Sequence, residues 1–182
     1  GGLVAAVLRG RYASMALVIA PILGFWQVYA LDIGSLSSMT LFGYDIIGVE
    51  VDKQAKVFGY LFHLAALVAG IYSFHVRDPW QISMALFYAA SAVGVAFAGD
   101  MISLFLWWEG LAITSVFQIW GRKTKEAEES GFRYLFFHVS SGLLLLAGIL
   151  FRYHGEGPSA FFLEPLTESL EAGDLGPLLI LL

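Results

Sequence analysis

Four titratable side chains stand inside, or at the mouth of, apolar runs: Glu109, His138, His63 and Asp100. Glu109 is the most demanding of them. It interrupts LFLWWEGLAITSVF, residues 104–117, in which it is the only charged residue. A charged acid at the centre of a membrane-spanning helix costs about 2.5–3.5 kcal/mol on insertion scales. Packing alone does not justify that cost. Two readings are open. The glutamate is protonated and hydrogen-bonds a neighbouring helix, or it binds and releases a cation, most simply a proton. Burial disfavours a charged carboxylate and a nearby cation favours it, so the surroundings can set a buried acid to exchange its proton.

The other three each carry a chemical and a structural reading. Tyr134, His138 and Ser141 fall at i, i+4 and i+7 and share one helix face. Histidine titrates near physiological pH and can relay protons. A neutral His138 satisfied by a helix neighbour is the alternative. His63 shares a side with Gly59, Ala66 and Gly70, a stripe of small residues suited to helix packing; a relay is the lesser reading. Asp100 precedes an apolar run, where a carboxylate caps free amides and meets the helix dipole. Ion access from the outer face is its other reading. Trp107 and Trp108 lie too deep for an interfacial belt and are expected to pack around Glu109, keeping bulk water from it.

These side chains need helices to position them. The 182 residues are 58% hydrophobic and 14% charged, with a mean hydropathy of +0.75. A soluble domain carries about 25% charged residues. Apolar stretches of roughly 18 residues or more read as membrane spans. The expected fold is an all-α integral membrane protein, a multi-spanning helix bundle with about six spans: the tail of one over 1–8, then 12–31, 55–74, 81–98, 100–120 and 131–151. A seventh starts near Pro177. Pro21 is a candidate kink in the second span. The connection over 32–54 is read as extramembrane, with an alternating, β-branched stretch, SMTLFGYDIIGVEVD, that suits a small hairpin. Residues 152–176 are read as an acidic outer loop.

The charges agree with this layout. Arg9, Arg11, Arg77, Arg122, Lys123, Lys125 and Arg133 fall in alternate loops and make up seven of the ten Lys and Arg residues. The opposite loops hold Lys53, Lys56 and Arg152, with ten of the fifteen acids. The positive-inside rule then puts RGR, HVRDPW and GRKTKEAEES in the cytoplasm. A net charge of −5 with no basic patch gives nucleic acid binding no support. With no cysteine, thiolate metal sites and iron–sulfur clusters are excluded within these residues. The histidines His63, His75, His138 and His154 show no metal-ligand spacing. No cofactor and no catalytic group are expected, and the lack of clustered Asp-rich or His-rich motifs disfavours an integral membrane enzyme.

The stretch ALFYAASAVGVAFAGDMISLFLWWEGLAITSVFQIWGRK, followed by GFRYLFFHVSSGLLLLAGI, resembles the antiporter-like membrane subunits of respiratory complex I, membrane-bound hydrogenases and Mrp-type multisubunit cation/proton antiporters. It looks most like the D subunit of the Mrp type. Asp100, Trp108, Glu109 and Ser115 match the family's fifth-helix pattern. GVEVDKQAKVFGYLFHLAALVAGIYS, with Asp52 and Tyr72–Ser73, resembles its third-helix region. The resemblance implies the N-terminal portion of a subunit with about fourteen helices, a single transmembrane domain over 1–182. It maps the family's ion-transfer glutamate onto Glu109 and implies a basic partner in a seventh helix.

The implied function is a proton- or cation-translocating membrane subunit of a multisubunit Na+/H+ antiporter or complex I-like respiratory complex, the latter driven by NADH:quinone or hydrogenase-type redox chemistry. The implied partners are other membrane subunits, the lipid bilayer, H+ and, as a second ion, Na+. The implied place is a prokaryotic cytoplasmic membrane. A non-pumping assembly subunit is the competing reading, since a related fold need not pump.

Overall fold

The computed structural model describes Gly2 and residues 11–41, 44–76 and 78–157. Among the described residues are five helices and one hairpin: α1 (Arg11–Ala30), β1 (Leu36–Leu41), β2 (Tyr44–Glu50), α2 (Lys53–Tyr72), α3 (Pro79–Ala96), α4 (Met101–Trp120) and α5 (Lys125–Glu156). A single 3-10 turn, Ser73–His75, follows α2. Four of the helices, α1, α2, α4 and α5, are long and apolar enough to cross a membrane. A 20-residue helix rises about 30 Å, the thickness of a bilayer's hydrocarbon core. The remaining described helix, α3, has 18 residues and overlaps the span expected over 81–98, but it is not among the four. The spans expected over 1–8 and from Pro177 lie outside the described residues, apart from Gly2.

Side-chain caps set where these helices begin. Asp52, Asp78, Asp100 and Thr124 each accept a hydrogen bond from an amide of the first turn that follows. The largest difference from the expected helix starts has this cause. The last helix was expected over 131–151, but the Thr124 cap starts it at Lys125, and Glu126 and Glu128 in its first turn complement the dipole. It also runs on to Glu156, so residues 152–156 of the expected acidic loop are helical and Arg152 is buried. Residues 158–176 of that loop lie outside the described residues. The hairpin expected in the 32–54 connection is present. It is antiparallel, with an irregular register between Ser37 and Ser38, and it begins slightly earlier than the alternation suggested.

The helices pack as a series. α1 lies against α2, and α3 contacts α1, α2 and α4, while α5 packs on α4. Gly70 of α2 makes the first contact close: a Cβ there would sit 2.3 Å from the Leu17 carbonyl oxygen of α1. Near one end, Ala13, Leu17, Ile82 and Leu86 form a buried cluster between α1 and α3. At the other, Val28, Val51, Ala55 and Phe97 join the helices to the hairpin.

Hydrogen bonds near the helix ends show that connections alternate ends. At the basic end Ser14 Oγ donates to Val76 O (2.8 Å) and Gln81 Nε2 to Gly121 O (2.7 Å), and Lys123 pairs with Asp78 at 3.7 Å. At the hairpin end Lys56 Nζ donates to Leu31 O (2.7 Å), Glu50 N to Phe97 O (2.8 Å) and Gly99 N to Ile47 O (3.1 Å). The α3–α4 connection therefore runs along β2. Two outcomes follow from this arrangement. Because the chain has no native cysteine, single cysteines at Ser38 and Lys123 should react with an impermeant maleimide from opposite sides of a sealed vesicle. Gly70→Val should lower the thermal midpoint of the detergent-solubilised protein, because helix backbone, rather than a movable side chain, blocks the added atoms; a cost of about 2 kcal/mol is expected for overpacking of this kind.

Candidate functional site

The site is the seam between α4 and α5. Its position depends on how α4 is held. Asp100, 1% exposed, accepts from Ser103 N at 2.6 Å through one oxygen and from Ile47 N of β2 through the other. The capping reading of Asp100 is what the geometry shows, with a second bond that spacing could not reveal. The carboxylate fastens the head of α4 to the hairpin. At the other end of the helix, the bond from Gln81 to Gly121 O fastens its tail to α3. With both ends tied, the rotation of α4 is set.

That rotation sends neighbouring residues to different helices. Trp107 fills the groove at Gly94 of α3, where a Cβ would lie 2.2 Å from its indole. Gly110 faces Ser91 of α3. Trp108 and Glu109 point instead toward α5. The indole of Trp108 stacks on His138, with ring centroids 5.7 Å apart and planes 13° from parallel. The expectation that both tryptophans pack around Glu109 is therefore corrected. Successive helix residues are about 100° apart, so 107 and 109 cannot share a face.

Glu109 meets α5 at Gly142. A Cβ at position 142 would lie 2.0 Å from Glu109 Oε1, so the absence of a side chain there makes room for the carboxylate. Oε1 is fully buried and has no hydrogen-bond partner among the described residues. One turn before Gly142 on α5 stands His138, whose Nε2 is likewise buried and without a partner among the described residues. Its ring also stacks on Tyr134, at 5.3 Å and 19°. Tyr134 in turn hydrogen-bonds Ser115 of α4 through its hydroxyl, at 2.7 Å. The seam thus brings Glu109 and His138 together with Trp108, Tyr134 and Ser115. The i, i+4 relation of Tyr134 and His138 was readable in the sequence; Gly142 and the Ser115–Tyr134 bond were not, because they depend on the register of two helices.

His63 lies elsewhere. Its Nδ1 is 2.7 Å from Gly59 O, one turn back on α2, so that nitrogen carries the proton and donates to the carbonyl. Its Nε2 faces Gly24 of α1, where a Cβ would be only 2.0 Å away. It also lines a cavity of ≈ 360 Å³ with Pro21, Phe62, Ala66 and Leu86. These contacts pack His63 between α1 and α2. Among the described residues no three His, Asp or Glu side chains gather where they could hold a metal ion.

The class follows from these features. The chain is a helical integral membrane protein, with a half-buried acid and a half-buried imidazole in the seam between two apolar helices. No family model and no curated protein sequence matches it significantly. Among solved structures it is similar to a chain of the membrane-bound sulfane sulfur reductase, an archaeal respiratory membrane complex. The TM-score is 0.63 with 19% identity, over 93% of this chain and 35% of that one. At that identity the likeness establishes the fold, and the match occupies about a third of the other chain's length.

The glycine at 142 provides a direct check on this geometry. Gly142→Ala should push the Glu109 carboxylate out of its niche while adding a single methyl group. The expected result is a normally assembled protein in which Glu109 reacts faster with a hydrophobic carbodiimide than in wild type. Gly142→Val should in addition weaken α4–α5 packing and lower the thermal midpoint.

Proposed function

We propose that this chain is a proton- or cation-translocating membrane subunit of a multisubunit complex of the antiporter-like kind, in which Glu109 is the ion-transfer carboxylate. Among such complexes, the residues around Glu109 favour the D subunit of Mrp-type Na+/H+ antiporters. The observation that carries this reading is the Glu109 side chain itself. It sits in an apolar helix, in a niche cleared by Gly142, with one oxygen buried and no hydrogen-bond partner among the described residues.

The energetics support it. A carboxyl group that served only to join α4 to α5 would be expected to donate to, or accept from, the facing helix. An unsatisfied buried acceptor costs about 1–3 kcal/mol, on top of the insertion cost of the acid. A group that alternately takes up and releases an ion has a use for such an unfilled valence. The fold likeness to a respiratory membrane complex is in keeping with a subunit that works among other membrane subunits. Basic loops at one end and the hairpin at the other suit a chain with its basic end in the cytoplasm of a prokaryotic cell.

The test is cation/proton exchange in inverted vesicles that carry the complete complex, with wild type compared to Glu109→Gln at matched assembly. Glutamine keeps the size and removes the exchangeable charge. Exchange should fall to background. Undiminished exchange in an assembled complex would make this chain a non-pumping assembly subunit instead.

A further inference from the structure

We propose that His138 is the proton-sharing partner of Glu109, forming an acid–imidazole pair inside the α4–α5 seam with its ring held against the faces of Trp108 and Tyr134. This deepens the reading of Glu109 as an ion-transfer group and rests on it for its role in transport. The pair itself stands on separate geometry.

Two buried polar atoms in one seam, Glu109 Oε1 and His138 Nε2, have no hydrogen-bond partner among the described residues. They face the same stretch of α5, since the carboxylate lies over Gly142 and His138 is one turn away. Residues so spaced are neighbours on a helix surface, about 5–6 Å apart. The two side-chain atoms share no hydrogen bond, so proton exchange between them takes a side-chain rotation or bridging water. The transfer balances simply. A carboxylic acid beside a neutral imidazole becomes a carboxylate beside an imidazolium, as the proton leaves oxygen and the Nε2 lone pair takes it. The pair is neutral overall in both forms, so no net charge is created between two apolar helices.

The imidazole ring lies against two aromatic faces. The negative face of an aromatic ring attracts a cation within about 6 Å of its centroid, and tryptophan does so best. Trp108 at 5.7 Å and Tyr134 at 5.3 Å both meet this condition. One comes from each helix, and the bond between Ser115 and Tyr134 ties the tyrosine back to α4. Other charged groups are remote or committed. On α4 the remaining acid is Asp100, bonded to Ser103 N and Ile47 N. On α5, Arg133 is exposed and Arg152 lies almost three turns beyond Gly142. The charged residues Lys125, Glu126, Glu128 and Glu129 lie in the opening turns of α5 and His154 and Glu156 in its last turn, away from the middle of the seam.

An imidazolium quenches a stacked indole, so Trp108 reports on His138 directly. The experiment is a pH titration of tryptophan fluorescence in the purified complete complex, with the signal of Trp108→Phe subtracted to isolate Trp108. Wild type should show one step, dimmer at low pH, that is absent in His138→Gln. In Glu109→Gln the pH of the step should change, because the group that shares the proton is gone. A step that stays in place in Glu109→Gln, or one that survives in His138→Gln, overturns the pair. Transport in the same variants separates the two proposals. Loss of exchange in Glu109→Gln with an unmoved step sinks only the pair, and retained exchange with a moved step sinks only the transport role. His138→Gln should also displace the pH profile of exchange, which a merely structural histidine would not do.

Discussion

Glu109 reaches α5 at a position that carries no side chain, and the arrangement of α4 serves that contact. A helix places successive residues about 100° apart, so a small rotation of α4 would carry the carboxylate toward α3 or toward the outer surface. The rotation is held by polar ties at both ends. Asp100 grips an amide of its own first turn and an amide of β2, and the Gly121 carbonyl accepts from Gln81 of α3. Between the ties, large residues alternate in destination. Trp107 goes to α3, while Trp108 and Glu109 go to α5.

The hairpin has a mechanical part in this. It is a short two-stranded element, and such elements have little stability alone in water. Here one strand is flanked by the α3–α4 connection, through Glu50 N to Phe97 O and Gly99 N to Ile47 O. Ile46 and Val51 are buried, and Val51 belongs to the cluster that includes Val28, Ala55 and Phe97. The hairpin therefore bridges the α1–α2 pair and the α3–α4 pair at one end of the bundle. At the other end short loops do the same with single hydrogen bonds and one exposed ion pair. An exposed pair of this kind contributes little to stability, so packing and buried hydrogen bonds hold that end.

The likeness to a chain of an archaeal respiratory complex at 19% identity shows what survives extensive change in sequence. A series of apolar helices joined by short connections can be built from many sequences, because lipid-facing and packing positions accept any side chain of suitable size. Polar groups inside such a bundle are different. Each must find a partner or carry an energetic cost, and two that lack a partner among the described residues, Glu109 Oε1 and His138 Nε2, lie in one seam.

The sequence by itself determined the class and most of the elements. Long uncharged runs have no stable place except apolar surroundings, so the positions of four helices able to cross a membrane were legible from composition alone, and the β-branched alternation marked the hairpin. The aspartate before MISLFL marked the start of α4, and a lone acid among fourteen residues, the rest uncharged, singled out Glu109. Tertiary structure decided the rest. The last helix is longer than its apolar core because capping and dipole effects at Thr124 carry it into charged sequence, which hydropathy does not register. His63 and His138 look alike in sequence, each a single histidine in an apolar run. They differ in what lies across from them. His63 satisfies itself on its own helix and fits against Gly24, whereas His138 is stacked on residues of two helices, one turn from the glycine that meets Glu109. Which residues face one another depends on the rotation and register of two packed helices, and a one-dimensional period sets only which residues share a face.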